Sequence, residues 1–210
     1  MTPTDRPVRA DAARNRELLL AAAEREFADK GLDASATDIA IRAGVGKGTL
    51  FRHFATKDDL IASIVCDHLD AVDAEGQRLL NASDPDGALF DFLSVIADQR
   101  RQRDVSFLIR ATATNAAVAE TYTRLLATVD ALVHRAQRGG SIRPDVTGAD
   151  VMLLSCAPNH VVEYFSDPPP GLWQRYLGVI FDGLRCSSAG PLLGPKPPPL
   201  HPVGVAPTSR

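Results

Sequence analysis

The sequence predicts an all-α protein, a small N-terminal helical domain followed by a larger helical one. Three observations carry this expectation. Apolar residues recur at helical spacing through most of residues 11–186, as in Leu19, Leu20, Ala23 and Phe27. Glycine and proline gather at a few breaks between these stretches, at Gly44 to Gly46, Ser83 to Gly87, Gly139-Gly140 and Asp167 to Gly171. A chain of 210 residues is also long enough to bury a small core and a medium one.

The first helix is expected from about Asp11 to Lys30, with Gly31 as its stop. A second short helix follows from Thr37 or Asp38 to Ala43, with Thr37 placed as its N-cap, and the glycines of Gly44-Val45-Gly46 permit a tight turn into a third, Lys47 to Phe54. Ile39, Ala40, Ala43, Val45, Leu50 and Phe54 are the apolar positions that close a three-helix core with the first helix. A fourth helix starts at Thr56, a capping residue followed by Asp58 and Asp59 at the positive helix end, and runs to about Leu80. After the break at 83–87, helices are expected over 88–102, 104–113, 116–138, 147–165 and 171–186. Residues 187–210 hold seven prolines in 24 positions, too few apolar groups and too many helix breakers for anything but a disordered tail. The expected organisation is a flexible arm over 1–10, a helix-turn-helix domain over 11–56, a larger helical domain over 57–186 and the tail.

Composition excludes several classes. Hydrophobic residues make up 45% and charged residues 23%, as in an ordinary globular protein rather than a disordered or fibrous one. No apolar run is long enough to cross a bilayer, and the start, MTPTDRPVRADAAR, lacks the apolar core of a secretory signal, so no membrane partner and a cytoplasmic location are expected. Cys66, Cys156 and Cys186 are odd in number and far apart, which reads as buried thiols rather than a disulfide or zinc framework. No metal or other cofactor is expected: His160 and Glu163 share a helix face, but no further ligand stands at a recognisable spacing.

The net charge of −3 hides an asymmetry. Residues 1–56 carry nine Lys/Arg and eight Asp/Glu, a sum of +1, and residues 57–210 carry fourteen and eighteen, a sum of −4. Between Ile39 and Lys57 no acidic residue occurs, while Arg42, Lys47, Arg52 and Lys57 are cationic and His53 can become so. Reading double-stranded DNA requires a short helix whose N-terminal end enters the major groove without bulk. Gly46-Lys47-Gly48-Thr49 has that character: glycines for close approach, a cation, and in Thr49 a hydroxyl and methyl for base edges. The segment GVGKGT lacks the strand and the four-residue spacer of a nucleotide-binding loop. Arg6, Arg9 and Arg14 read equally well as a basic arm in the minor groove or as a solvated tail.

The stretch from Arg16 to Ile64 resembles the DNA-binding segment of the TetR family of transcriptional regulators. The matching residues are the Leu-Leu…Ala-Ala…Phe…Gly first helix, Thr37-x-x-Ile-Ala, Ala-Gly-Val, Gly-Thr-Leu-Phe-x-His-Phe, and Lys57 opening the next helix. The resemblance implies a homodimeric repressor on palindromic DNA, whose larger domain binds a small-molecule effector and forms the dimer. It implies phosphate contacts from Thr37 and Lys57, approach to base edges by Lys47, Gly48 and Thr49, and a phosphate or backbone contact from His53. Phe51 departs from the pattern, because many relatives carry Tyr there, whose hydroxyl reaches a phosphate. Phe51 keeps only an apolar contact with a sugar or thymine methyl, while Arg52 follows on the same helix and Arg42 precedes the turn, within reach of the DNA backbone. The run GGSIRPDVTGADVMLLSCAP resembles the C-terminal domain of one TetR subgroup, in which the last two helices pair across the dimer.

In the larger domain, Phe90, Phe92, Phe107, Tyr122, Met152, Asn159, His160, Tyr164 and Trp173 are the residues best able to line an apolar cavity with a few directing polar groups. Each has a competing role as plain core. Two other functions remain open on the residues alone. One is a DNA-binding module controlled by a protein partner or by concentration. The other is a helical enzyme, against which stands the lack of any Ser-His-Asp arrangement, metal motif or carboxylate pair; no catalytic activity is expected.

Overall fold

A computed structural model describes residues 5–102, 108–109, 112, 114–186, 190–192, 194–197 and 200, with no side-chain description for 5–10 and 100–102. Its helices are α1 (Asp5–Lys30), α2 (Ala36–Arg42), α3 (Lys47–His53), α4 (Lys57–Leu79), α5 (Pro85–Gln102), α6 (Ala116–Arg138), α7 (Gly148–Leu154), α8 (Ala157–Val162) and α9 (Leu172–Leu184). A single turn of 3-10 helix, Gly31–Asp33, links α1 to the strand-like entry of α2. Two compact units divide within α4, Met1–Asp67 and His68–Arg210.

In the first unit, Leu19, Ala23 and Phe27 of α1 are buried together with Ile39, Ala40, Leu50, Phe54, Leu60 and Ile64. Ala43 and Val45 are only half-buried, so the core is narrower than the apolar pattern implies. Helix α1 begins six residues earlier than expected: Pro7 falls in its first turn, where a missing N–H leaves no internal bond unmade. Arg6, Arg9 and Arg14 therefore ride on a helix rather than an irregular arm. Gly44 takes φ +70°, a conformation costly to residues with a Cβ, and so allows the chain to reverse between α2 and α3.

The second unit is organised around α6, whose Val118, Leu125, Val129, Leu132 and Val133 are buried on one face. Helix α6 runs parallel to the end of α4, as the ladder of contacts shows: Arg124 to Asp70 (2.5 Å), Thr128 Oγ1 to Asp73 (2.5 Å) and Arg135 Nη1 to the Leu79 carbonyl (3.3 Å). A Cβ on Gly76 would lie 2.6 Å from Thr128 Cγ2 and 3.0 Å from the Phe92 ring, so glycine here sets how closely the helices approach.

The break expected at 83–87 is shorter, because Asp84 Oδ1 accepts from Asp86 N and Pro85 opens α5. The expected helix over 147–165 is two helices. Pro158 has no N–H to offer the Leu154 carbonyl, and the chain tightens through Ser155-Cys156 before α8 begins. Of the expected helix over 104–113, Leu108 and Ile109 are helical and most of the rest lies outside the described residues. Two described tail residues meet the second unit: Arg143 donates to the Gly190 carbonyl (2.9 Å) and Leu192 N–H donates to Asp145 (2.8 Å). Cys66 and Cys156 are half-buried, but Cys186, just past α9, is exposed rather than buried.

Candidate nucleic-acid interface

The cap of α2 is Ser35, not Thr37. Ser35 Oγ accepts from Asp38 N–H at 3.1 Å. Thr37 sits in the first turn, exposed, with its hydroxyl unbonded among the described residues.

The cations expected to face DNA separate into two groups. Arg42 is engaged inside the unit: its Nε donates to Glu26 (2.6 Å) and its Nη2 to Asp29 (2.8 Å). Glu26 is 4% exposed and is also met by Lys30 (2.9 Å), which in turn reaches Asp38 (3.1 Å). This network ties α1 to α2 across the turn. Hydrogen bonds from Lys30 and then Arg42 hold the Glu26 carboxyl below its usual range, and Lys30 with Ser35 does the same for Asp38. Lys57 donates to the Leu32 carbonyl, and its ammonium lies 5.7 Å from the Phe27 ring centre. It holds α4 against the turn after α1, a role invisible in the sequence.

The second group belongs to α3. Lys47 and Arg52 are exposed and form no ion pair among the described residues; Lys47 lies 5.9 Å from the centre of the Phe51 ring. Phe51 is 41% exposed. Thr49 and His53 are half-buried, and His53 packs on Phe54 at 6.2 Å. A Cβ on Gly48 would meet nothing within 4 Å, so no internal packing explains glycine there. The surface of α3 is thus cationic, low at Gly48 and edged by one apolar ring. Arg16, by contrast, is paired with Asp67 (3.3 Å).

The residues expected from sequence at an effector site differ in exposure. Met152 and Trp173 are buried, Tyr122 and Asn159 half-buried, and Phe107 lies outside the described residues. His160 and Tyr164 are exposed and stack edge-to-face at 5.7 Å, with His160 Nδ1 3.1 Å from Glu163. A cleft of about 450 Å³ is lined by Asp84, Asp86, Phe90, Phe181, Asp182 and Arg185, and among the described residues expected at an effector site Phe90 alone enters it. Its edge-to-face rings, Phe90 and Phe181, are 4.9 Å apart but ninety-one positions distant in sequence, which no local pattern reveals.

A three-helix unit presenting an unpaired cationic helix beside a glycine-hinged turn is the architecture of a helix-turn-helix regulator. Residues 19–64 match the family model of bacterial regulatory proteins of the tetR family, and residues 84–186 match that of the SbtR-like transcriptional regulator C-terminal domain. A TetR transcription regulatory protein from Mycobacterium vanbaalenii is similar in structure, with a TM-score of 0.63 and 34% identity over 86% of this chain and 100% of that one. The HTH-type transcriptional repressor BepR of Brucella suis is 43% identical over 61 residues, and the HTH-type transcriptional repressor KstR2 of Mycolicibacterium smegmatis 36% over 72. These matches take in 29% and 34% of this chain and 29% and 35% of those two proteins, so the chain matches about a third of the curated relatives' length. The chain belongs to the TetR family of transcriptional regulators. Among the described residues, no helix is long and apolar enough to cross a membrane.

Proposed function

We propose that this chain is a cytoplasmic, homodimeric repressor that docks two copies of α3 in successive major grooves of a palindromic operator and leaves it when a small molecule binds the second unit. The observation that carries the DNA-binding reading is the pair of exposed, unpaired cations Lys47 and Arg52 flanking the open position at Gly48. Lys47, Gly48 and Thr49 address base edges, Thr37, Arg52 and His53 address phosphates, and Phe51 packs against sugar or a thymine methyl. Arg42 and Lys57 act on DNA chiefly by holding α1, α2 and α4 in place.

The dimer reading is supported by large apolar side chains left exposed in the second unit, Leu153, Phe165 and Val179, a pattern suited to burial against a second copy. Release follows from the effector's differential affinity for two dimer states and needs no catalytic step. The test is a gel shift with an inverted repeat taken from upstream of the gene, together with sedimentation of the complex. Two chains per duplex, at an affinity well above that for a shuffled duplex, is the expected result; a single chain bound equally to both duplexes would overturn the reading.

A further inference from the structure

Asn159 lies on α8, and its Nδ2 donates to the carbonyl of Ala97 on α5 at 2.7 Å. A carbonyl oxygen can only accept, so this bond fixes which end of the amide is nitrogen. The other end, Oδ1, is therefore an acceptor. It is buried and receives no hydrogen bond. A buried acceptor in that condition is costly unless a donor meets it, and native interiors hold few of them. A purely structural latch between α8 and α5 accounts for the Nδ2 bond and leaves Oδ1 without a role. Gln99 Oε1 on α5 is also buried and unbonded, but nothing fixes the orientation of that amide, so the argument rests on Asn159.

We infer that Asn159 Oδ1 is the polar anchor of the effector site, and that the effector is a largely apolar molecule carrying a hydroxyl or N–H donor. This rests on the reading of the second unit as effector-binding. The remainder of the class follows from α5 and α7, which both contact α8: their buried side chains Leu93, Ile96, Val151 and Met152 are apolar, and none can satisfy an ionised group. Specificity then comes from the donor, because a ligand lacking it leaves the anchor unmet.

The test uses the full-length protein and isomeric probe pairs that differ in the donor alone: decanol with methyl nonyl ether, and para-octylphenol with para-heptylanisole. Apparent affinities come from the concentration dependence of the thermal midpoint. The expected result is a preference for the hydroxyl member of at least one pair by about tenfold, about 1.4 kcal/mol, that falls below about twofold in Asn159→Leu. Should Asn159→Leu not fold, the preference in the unmodified protein decides alone. Equal binding within each pair, or a preference untouched by Asn159→Leu, overturns the anchor while leaving an effector site standing. Binding by none of the four probes counts against both the anchor and the site.

Discussion

Replacing Arg52 and Arg42 separately by alanine separates a DNA contact from a clamp on which the contact depends. Arg52 is exposed and unpaired among the described residues, whereas Arg42 already donates to Glu26 and Asp29. Each phosphate neutralised on duplex DNA contributes about 0.9 to the slope of log affinity against log salt. In a dimer, Arg52→Ala removes two such contacts, so the slope should fall by about 1.8. Raising salt fourfold, from about 50 to about 200 mM, should then shrink the affinity gap between wild type and Arg52→Ala by about twelvefold. Arg42→Ala should instead leave the slope within about 0.5 of wild type, lower the thermal midpoint of the protein and weaken binding at every salt concentration. Fluorescence anisotropy over a salt series, with thermal unfolding of both variants, provides the readout. An Arg42→Ala variant that loses as much slope as Arg52→Ala while melting like wild type would refute the division of these cations into clamp and contact.

Other perturbations test different links. Gly48→Ala puts a Cβ where nothing in the protein stands, so it should leave stability unchanged or raise it by about 0.5–1 kcal/mol, while operator affinity measured by anisotropy falls. Gly76→Ala forces a methyl against Thr128 and Phe92 and should cost about 1–3 kcal/mol in urea unfolding, without altering the salt slope of DNA binding. Phe27→Ala empties the centre of the first unit and should cost about 3–5 kcal/mol, abolishing DNA binding at temperatures where the second unit is still folded by circular dichroism. Because the folded-state pKa of Glu26 is lowered from the ordinary 4.5, its contribution to stability is present above that value and lost as pH falls through the lower one. Glu26→Gln should therefore melt at a lower temperature than wild type near neutrality, and the gap should narrow on acidification below pH 4.5.

Local signals are legible in the sequence at helix ends where one cap or one breaker decides the outcome, though not all of them enter the expected boundaries. Helix α6 lies over 116–138 as expected because Asn115 accepts from the N–H groups of Ala117 and Val118 and Gly139 ends the run. Thr56 caps α4 by accepting from Asp59 N–H while Asp59 accepts from Thr56 N–H, a reciprocal pair visible in the T-x-x-D spacing. The same spacing singles out Ser35 with Asp38 over Thr37, whose position three residues on is Ala40, so the true cap of α2 was available and was passed over. Pro158 likewise signalled the break between α7 and α8. The roles of Arg42 and Lys57 were not legible, because their partners lie 16 and 25 residues away and are brought close only by the turn between α1 and α2. Composition placed four cations on one segment; folding left two of them, Lys47 and Arg52, without a hydrogen bond or ion pair among the described residues.

The spacing of operator half-sites tests the central claim most directly. If two copies of α3 read successive major grooves from one DNA face, inserting about five base pairs between the half-sites turns one of them to the opposite face. Anisotropy with the native and the extended duplex at matched salt should then show the extended duplex bound no better than shuffled DNA. Undiminished binding to the extended duplex would contradict the account of a dimeric, palindrome-reading regulator.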